Sequence, residues 1–122
     1  MKQEFEDKFQ KAFPLLYREG AFLPGDGWYQ LLWDLSEKLE KLIEAGEEDP
    51  DIGRPYAVQV KEKFGGLRFY LSHETAEMAE AIRVAERLSE KTCEWCGAPG
   101  TIRPGGWLLT LCDSCQQSRT ER

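Results

Sequence analysis

The chain has 122 residues, 41% hydrophobic and 11% aromatic, with a formal charge of −6. That suffices for one modest core, or one core with a small appended module, and no apolar run is long enough to span a membrane. Residues 1–50 hold twelve Asp/Glu against six Lys/Arg and the remainder ten against ten, so the first half repels a nucleic-acid duplex.

Residues 2–19 read as helical, with Phe5, Phe9, Ala12, Phe13 and Leu16 at helical spacing, and Pro14 predicts a kink or a break into two short helices. Residues 20–27 contain three glycines and a proline and read as a loop. The next helix runs from an N-cap at Asp26 to a stop at Gly46. Trp28, Leu31, Leu32, Leu35, Leu39, Leu42 and Ile43 form its apolar stripe. Glu37, Lys38, Glu40, Lys41 and Glu44 are assigned to the opposite face. Trp33 lies off the stripe. The acidic run 47–51 reads as a solvated loop.

Residues 57–72 read as a β-hairpin. Val58 and Val60 alternate with Gln59 and Lys61, Phe64-Gly65-Gly66 turns the chain, and Leu67, Phe69 and Leu71 alternate with Arg68 and Tyr70. One face is expected to pack on the helices and the other to present Gln59, Lys61, Arg68 and Tyr70, with Lys63 near the turn. Ser72 is the expected cap of a third helix over 73–91, with Glu74 in its first turn and Met78, Ile82, Ala85 and Leu88 buried. No flexible linker separates it from Cys93, so the last segment is expected to dock on this helix.

All four cysteines fall in two pairs, Cys93/Cys96 and Cys112/Cys115, spaced C-x2-C-x15-C-x2-C. This is the pattern of one tetrahedral Zn²⁺ held by four thiolates. Gly97 suits the tight knuckle after the first pair, where a positive φ is often needed. Gly105-Gly106 marks a turn, and Trp107 to Leu111 is a β-rich run, which completes a zinc-ribbon layout. Two disulfides, or a thioredoxin-like redox pair, are the rival readings. Against them stand the close pairing of the cysteines, the matched second pair and the absence of an export signal, which also points to the cytoplasm. A catalytic zinc would need an open position, which four cysteines do not leave. The site would carry a net charge of −2, so Arg103 or Lys91 is expected to donate to the sulfurs.

The segment Val60-Lys61-Glu62-Lys63-Phe64-Gly65-Gly66-Leu67-Arg68-Phe69-Tyr70, followed by Thr92-Cys93-Glu94-Trp95-Cys96-Gly97-Ala98-Pro99-Gly100 and Thr110-Leu111-Cys112-Asp113-Ser114-Cys115, resembles a family of small zinc-ribbon proteins encoded in bacterial and phage genomes. The resemblance spans residues 57–115. It implies a zinc-bearing bacterial or phage protein and brings no catalytic residue with it.

An enzyme needs a titrating group or a positioned nucleophile. The single histidine, His73, sits beside a helix start, and no HxxxH, DxD, HNH-like or Ser-His-Asp set can be assembled. The loops 25–27 and 64–66 are too short to cradle phosphate. A catalytic reading would require His73, Glu74 and Asp51 or Arg54 to converge.

Two binding readings remain. Trp95, between two ligands, and Trp107 are candidate aromatic anchors for a protein partner, unless they cement the ribbon to the third helix. Lys61, Lys63, Arg68 and Tyr70, with Arg54 and Arg103, are candidate nucleic-acid contacts, unless they merely keep a sheet edge soluble. A third reading makes the acidic first half a DNA mimic. The expectation is an α+β protein. Residues 1–91 form helices packed on a β-hairpin with a long third helix, and 92–122 form a four-cysteine zinc ribbon. Its expected role is non-catalytic binding of a protein partner, with nucleic acid as the alternative and the oligomeric state open.

Overall fold

Among residues 1–120, which the computed structural model describes, lie four α-helices and two antiparallel hairpins. Helix α1 (Gln3–Ala12) ends one residue before the position preceding Pro14, and residues 14–19 continue as turn. The proline thus breaks the helix rather than kinking it. Phe9, Leu16 and Tyr17 are fully buried before and beyond the break. A short 3-10 turn (Asp26–Trp28) leads into α2 (Tyr29–Ala45), which stops at Gly46. Asp26 does not cap α2; its carboxylate accepts from the Lys2 amide at the start of α1. The Arg54 guanidinium donates to the Ile43 and Gly46 carbonyls, satisfying the far end of α2.

The stripe on α2 is buried as the pattern requires, save that Leu42 is half-buried. Glu40 departs from it. It is 5% exposed, and its two oxygens accept from the Leu15 and Leu16 amides. The turn after Pro14 has amides that no helix satisfies, and Glu40 supplies the acceptors. Trp33 completes an aromatic cluster, with ring centroids 4.7 Å from Phe13, 5.2 Å from Phe9 and 5.8 Å from the stacked Tyr29.

Strands β1 (Ala57–Lys63) and β2 (Gly66–Leu71) pair antiparallel, with Val60 opposite Phe69 and Lys61 opposite Arg68. A bulge between Ala57 and Gln59 turns Val58 outward, where it is 61% exposed, and returns Ala57 to the core. The two-residue turn has positive φ at both positions, 55° at Phe64 and 84° at Gly65, as the preferred hairpin twist requires.

Helix α3 (Ala76–Ser89) starts later than the sequence implies. Thr75 is its cap, accepting from the Met78 amide, while the Ser72 hydroxyl accepts from Tyr56 instead. Met78, Ala81, Ile82 and Ala85 are buried, but Leu88 is half-exposed, and Ser89 takes the last inward position by donating to Glu86 and accepting from the Leu67 amide. α3 packs on α2 and β2. Every residue of this core lies between Phe9 and Ala85. The C-terminal segment is a knuckle at 93–97, a short hairpin of β3 (Thr101–Arg103) and β4 (Leu109–Leu111), and an unanticipated helix, α4 (Asp113–Thr120).

Candidate functional site: metal centre and cleft

The two cysteine pairs reach one point from different elements. Cys93 and Cys96 flank a knuckle closed by the Gly97 amide to the Cys93 carbonyl (2.9 Å) and the Cys93 amide to Ala98 (2.7 Å), with Gly97 at φ 85°. Cys112 immediately precedes α4 and Cys115 lies in its first turn, so the i, i+3 spacing puts both thiols on one side. All four Sγ atoms lie within 4.8 Å of one another, and Cys96 and Cys112 are 3.6 Å apart. Thiolates bound tetrahedrally at about 2.3 Å stand ~3.8 Å apart. The spacing therefore fits a metal ion and is far longer than the ~2.05 Å of a disulfide; the four cysteines are free.

Backbone amides already face the sulfurs. Burial pushes the Cys93 thiol up, but the N–H groups of Cys112, Cys96 and Trp95 outweigh it and bring Cys93 down to about 7. Cys115 also donates its amide to Cys112 Sγ at 3.4 Å. Burial and the neighbouring thiols of Cys112, Cys93 and Cys96 push Cys115 up to about 12. The Cys93 thiolate forms readily, whereas burial and the neighbouring sulfurs oppose ionisation at Cys115, an opposition that a cation relieves. Arg103 does not donate to sulfur. It binds the Leu111 carbonyl and the Asp113 carboxylate at 2.7 Å, tying β3 to the start of α4. Lys91 is exposed, and its carbonyl accepts from Gly100.

The module is seated on residues 25–28 and on the hairpin tip, where docking on α3 was expected. The Gly27 amide donates to the Glu94 carbonyl (2.8 Å) and the Gly25 amide to the Glu94 carboxylate (3.1 Å). Buried Trp28 donates its indole N–H to Thr92, and Thr110 donates to the Gly65 carbonyl at 2.5 Å. A Cβ at Gly27 would stand 2.2 Å from the Cys93 carbonyl oxygen. The glycines of the short 25–27 loop thus have a structural use: they admit the cysteine knuckle. Glu94, only 8% exposed, is the residue that the sequence reading passed over. Its position inside the C-x2-C, with a glycine-rich loop elsewhere, was the available signal.

The candidate binding residues divide. Lys61, Arg68, Gln59 and Tyr70 share the outer hairpin face, since Lys61 pairs with Arg68 and Gln59 with Tyr70. Arg68 donates to its neighbour's carbonyl at Leu67, and Tyr70 is 45% exposed. Arg54 and Arg103 are bound elsewhere, as described. Trp95 is half-buried in its knuckle. Trp107 does not open a strand; it lies in the β3–β4 loop, 68% exposed, with its carbonyl accepting from Arg119. That loop and the hairpin tip enclose a cleft of about 560 Å³, lined among others by Lys61, Lys63, Phe64 and Trp107. Phe64, which the sequence reading treated as turn, is also 68% exposed, and the Lys63 ammonium lies 5.5 Å from its ring centroid.

His73 lines a cleft with Glu47, Asp49 and Glu77, and at its edge Arg54 donates to the Ile43 and Gly46 carbonyls and the Asp51 amide to Asp49. No helix among the described residues is long and apolar enough to cross a membrane. Compared with family models, curated proteins and solved structures, the chain matches none.

Proposed function

We propose that this is a non-catalytic zinc protein that binds a protein partner through the cleft between the β1–β2 tip and the β3–β4 loop. The observation that carries the reading is that Trp107, 43 positions beyond Phe64 in the chain, meets Lys61, Lys63 and Phe64 of the hairpin tip around one opening. Exposed aromatics are frequent anchors of a protein contact. The cysteine geometry supports Zn²⁺ as the ion. Four thiolates are the soft, tetrahedral set that zinc prefers, and they fill its coordination shell, which leaves no position for a reacting water.

Nucleic acid fits less well, because Arg54 and Arg103 are committed to the chain's own carbonyls and carboxylate. DNA mimicry also finds less support. Glu6, Asp26, Glu40 and Asp49 turn their carboxylates onto backbone amides of the same chain.

Two measurements test the reading. Elemental analysis of purified protein should find one zinc per chain, and none in Cys93→Ser. Immobilised zinc-loaded protein should capture a partner from nuclease-treated bacterial lysate, and Trp107→Ala should lose it. Capture that disappears with nuclease, or that Trp107→Ala leaves intact, overturns the partner assignment.

A further inference from the structure

Phe64 occupies a position where a phenylalanine is expensive. Both turn residues have positive φ, 55° at Phe64 and 84° at Gly65. Asn-Gly or Gly-Gly would adopt this turn with little strain, whereas a bulky residue at positive φ is an outlier held there at a cost. The side chain recovers little of this by burial, being 68% exposed. Strain held at an exposed aromatic points to use at that spot.

Across the opening stands Trp107, equally exposed, on a loop whose carbonyl is held by Arg119. The two rings form apolar walls. The wall between them is cationic: Lys61 and Lys63 line it, and Arg68 lies beside Lys61 across the strand pair. The one acid in the wall, Glu62, is turned into the hairpin, where its carboxylate accepts from the Gly65 amide at 2.7 Å. The cleft therefore presents positive charge on a chain whose formal charge is −6. That contrast selects an anionic occupant with a bulky apolar side chain.

Resting on the proposed partner reading, we infer that the cleft takes a short acidic peptide segment of the partner, in which Asp or Glu residues flank an aromatic or large aliphatic anchor. The anchor lies between Phe64 and Trp107, and the carboxylates meet Lys61 and Lys63. The size of the charged patch separates this occupant from nucleic acid. A polynucleotide gains affinity by neutralising many phosphates along a track, and here only two lysines line the opening, while Arg68 donates to the Leu67 carbonyl. The remaining acidic excess of the chain repels a long polyanion but not a short segment, since charges beyond about 10 Å are screened at ordinary salt.

The test is selection of a random dodecapeptide phage-display library on immobilised zinc-loaded protein, with direct binding of selected peptides and of a twelve-residue oligothymidylate measured by fluorescence anisotropy. Enriched peptides should carry two or more Asp/Glu beside Trp, Phe, Leu or Ile. Their affinity should fall at least tenfold when those acids become Asn or Gln, and at least tenfold with K61E/K63E. Phe64→Asn suits the turn and keeps the fold, yet it should also lose at least tenfold. Enriched peptides without net negative charge, still dependent on Phe64 and Trp107, would overturn the acidic assignment and leave the docking cleft standing. Absence of any enriched peptide, or tighter binding of the oligothymidylate than of every peptide, overturns both. Selected peptides insensitive to Phe64→Asn and Trp107→Ala also overturn both.

Discussion

Glu40 shows how one side chain can join two segments that share no secondary structure. It lies on α2, 5% exposed, and receives the Leu15 and Leu16 amides at 3.2 and 2.8 Å. Glu40→Ala removes both acceptors and leaves two amides of the turn unpaired, a loss of about 2–4 kcal/mol. The exposed Glu44→Ala on the same helix should stay within about 0.5 kcal/mol of wild type. Urea unfolding of the two variants checks this, and equal stabilities would refute the assigned role. Beneath Glu40, the Tyr17 hydroxyl meets Ser36 at 2.6 Å. Burial holds the Tyr17 phenol well above its ordinary value, Ser36 opposing and Glu40 adding to it. The folded state therefore keeps this proton where the unfolded chain releases it. The phenol's contribution is complete below about pH 10 and is lost as pH rises beyond, by up to about 1.4 kcal/mol per pH unit. Tyr17→Phe should flatten that alkaline fall when unfolding midpoints at pH 8 and pH 11 are compared. An unchanged slope would place the phenol in solvent.

At the scale of elements, what was legible followed from local periodicity. The hairpin's alternation is a period-two signal carried by adjacent residues, and the observed register agrees with it from Gln59 to Tyr70. The apolar stripe of α2 is equally local. What was hidden depended on a neighbour. Ser72 and Thr75 are both good caps three residues apart, and only the Tyr56 amide, from the preceding loop, decides that Ser72 is already engaged. α4 has no buried residue, so hydropathy carries no signal for it, and its first turn holds Cys115 beside Cys112. The convergence of the four cysteines was legible in their spacing, whereas the seat beneath them was not, because Gly25 and Gly27 meet Glu94 across 67 or more residues of chain. That seat gives a sharp comparison. Gly27→Ala forces a Cβ to 2.2 Å from the Cys93 carbonyl, while Gly106→Ala meets nothing within 4 Å. Gly27→Ala should cost about 1–3 kcal/mol and weaken metal retention against a chelator, and Gly106→Ala should do neither. If the Gly27 variant kept wild-type retention and stability, the knuckle would not depend on this seat.

Over the whole molecule, stability is divided between two sources. The apolar core is assembled from residues between Phe9 and Ala85 and includes none of the cysteine module. Within the module, the buried residues are Cys93, Glu94, Thr110 and Leu111, too few to hold a fold without a metal. Removing the ion with a chelator should therefore leave α1, α2, α3 and the first hairpin folded while residues 93–120 open. Hydrogen exchange followed by mass spectrometry would show this as lost protection in 93–120 and retained protection across α2 and α3. Cooperative loss of all protection would instead make the metal the keystone of the whole chain. The cleft spans the division, since Lys61, Lys63 and Phe64 belong to the hairpin on the apolar core and Trp107 to the loop of the cysteine module. Chelation should thus abolish binding at the cleft with the hairpin intact, and added zinc should restore it. A peptide bound equally well with and without metal would show that Trp107 and its loop form no part of the binding surface.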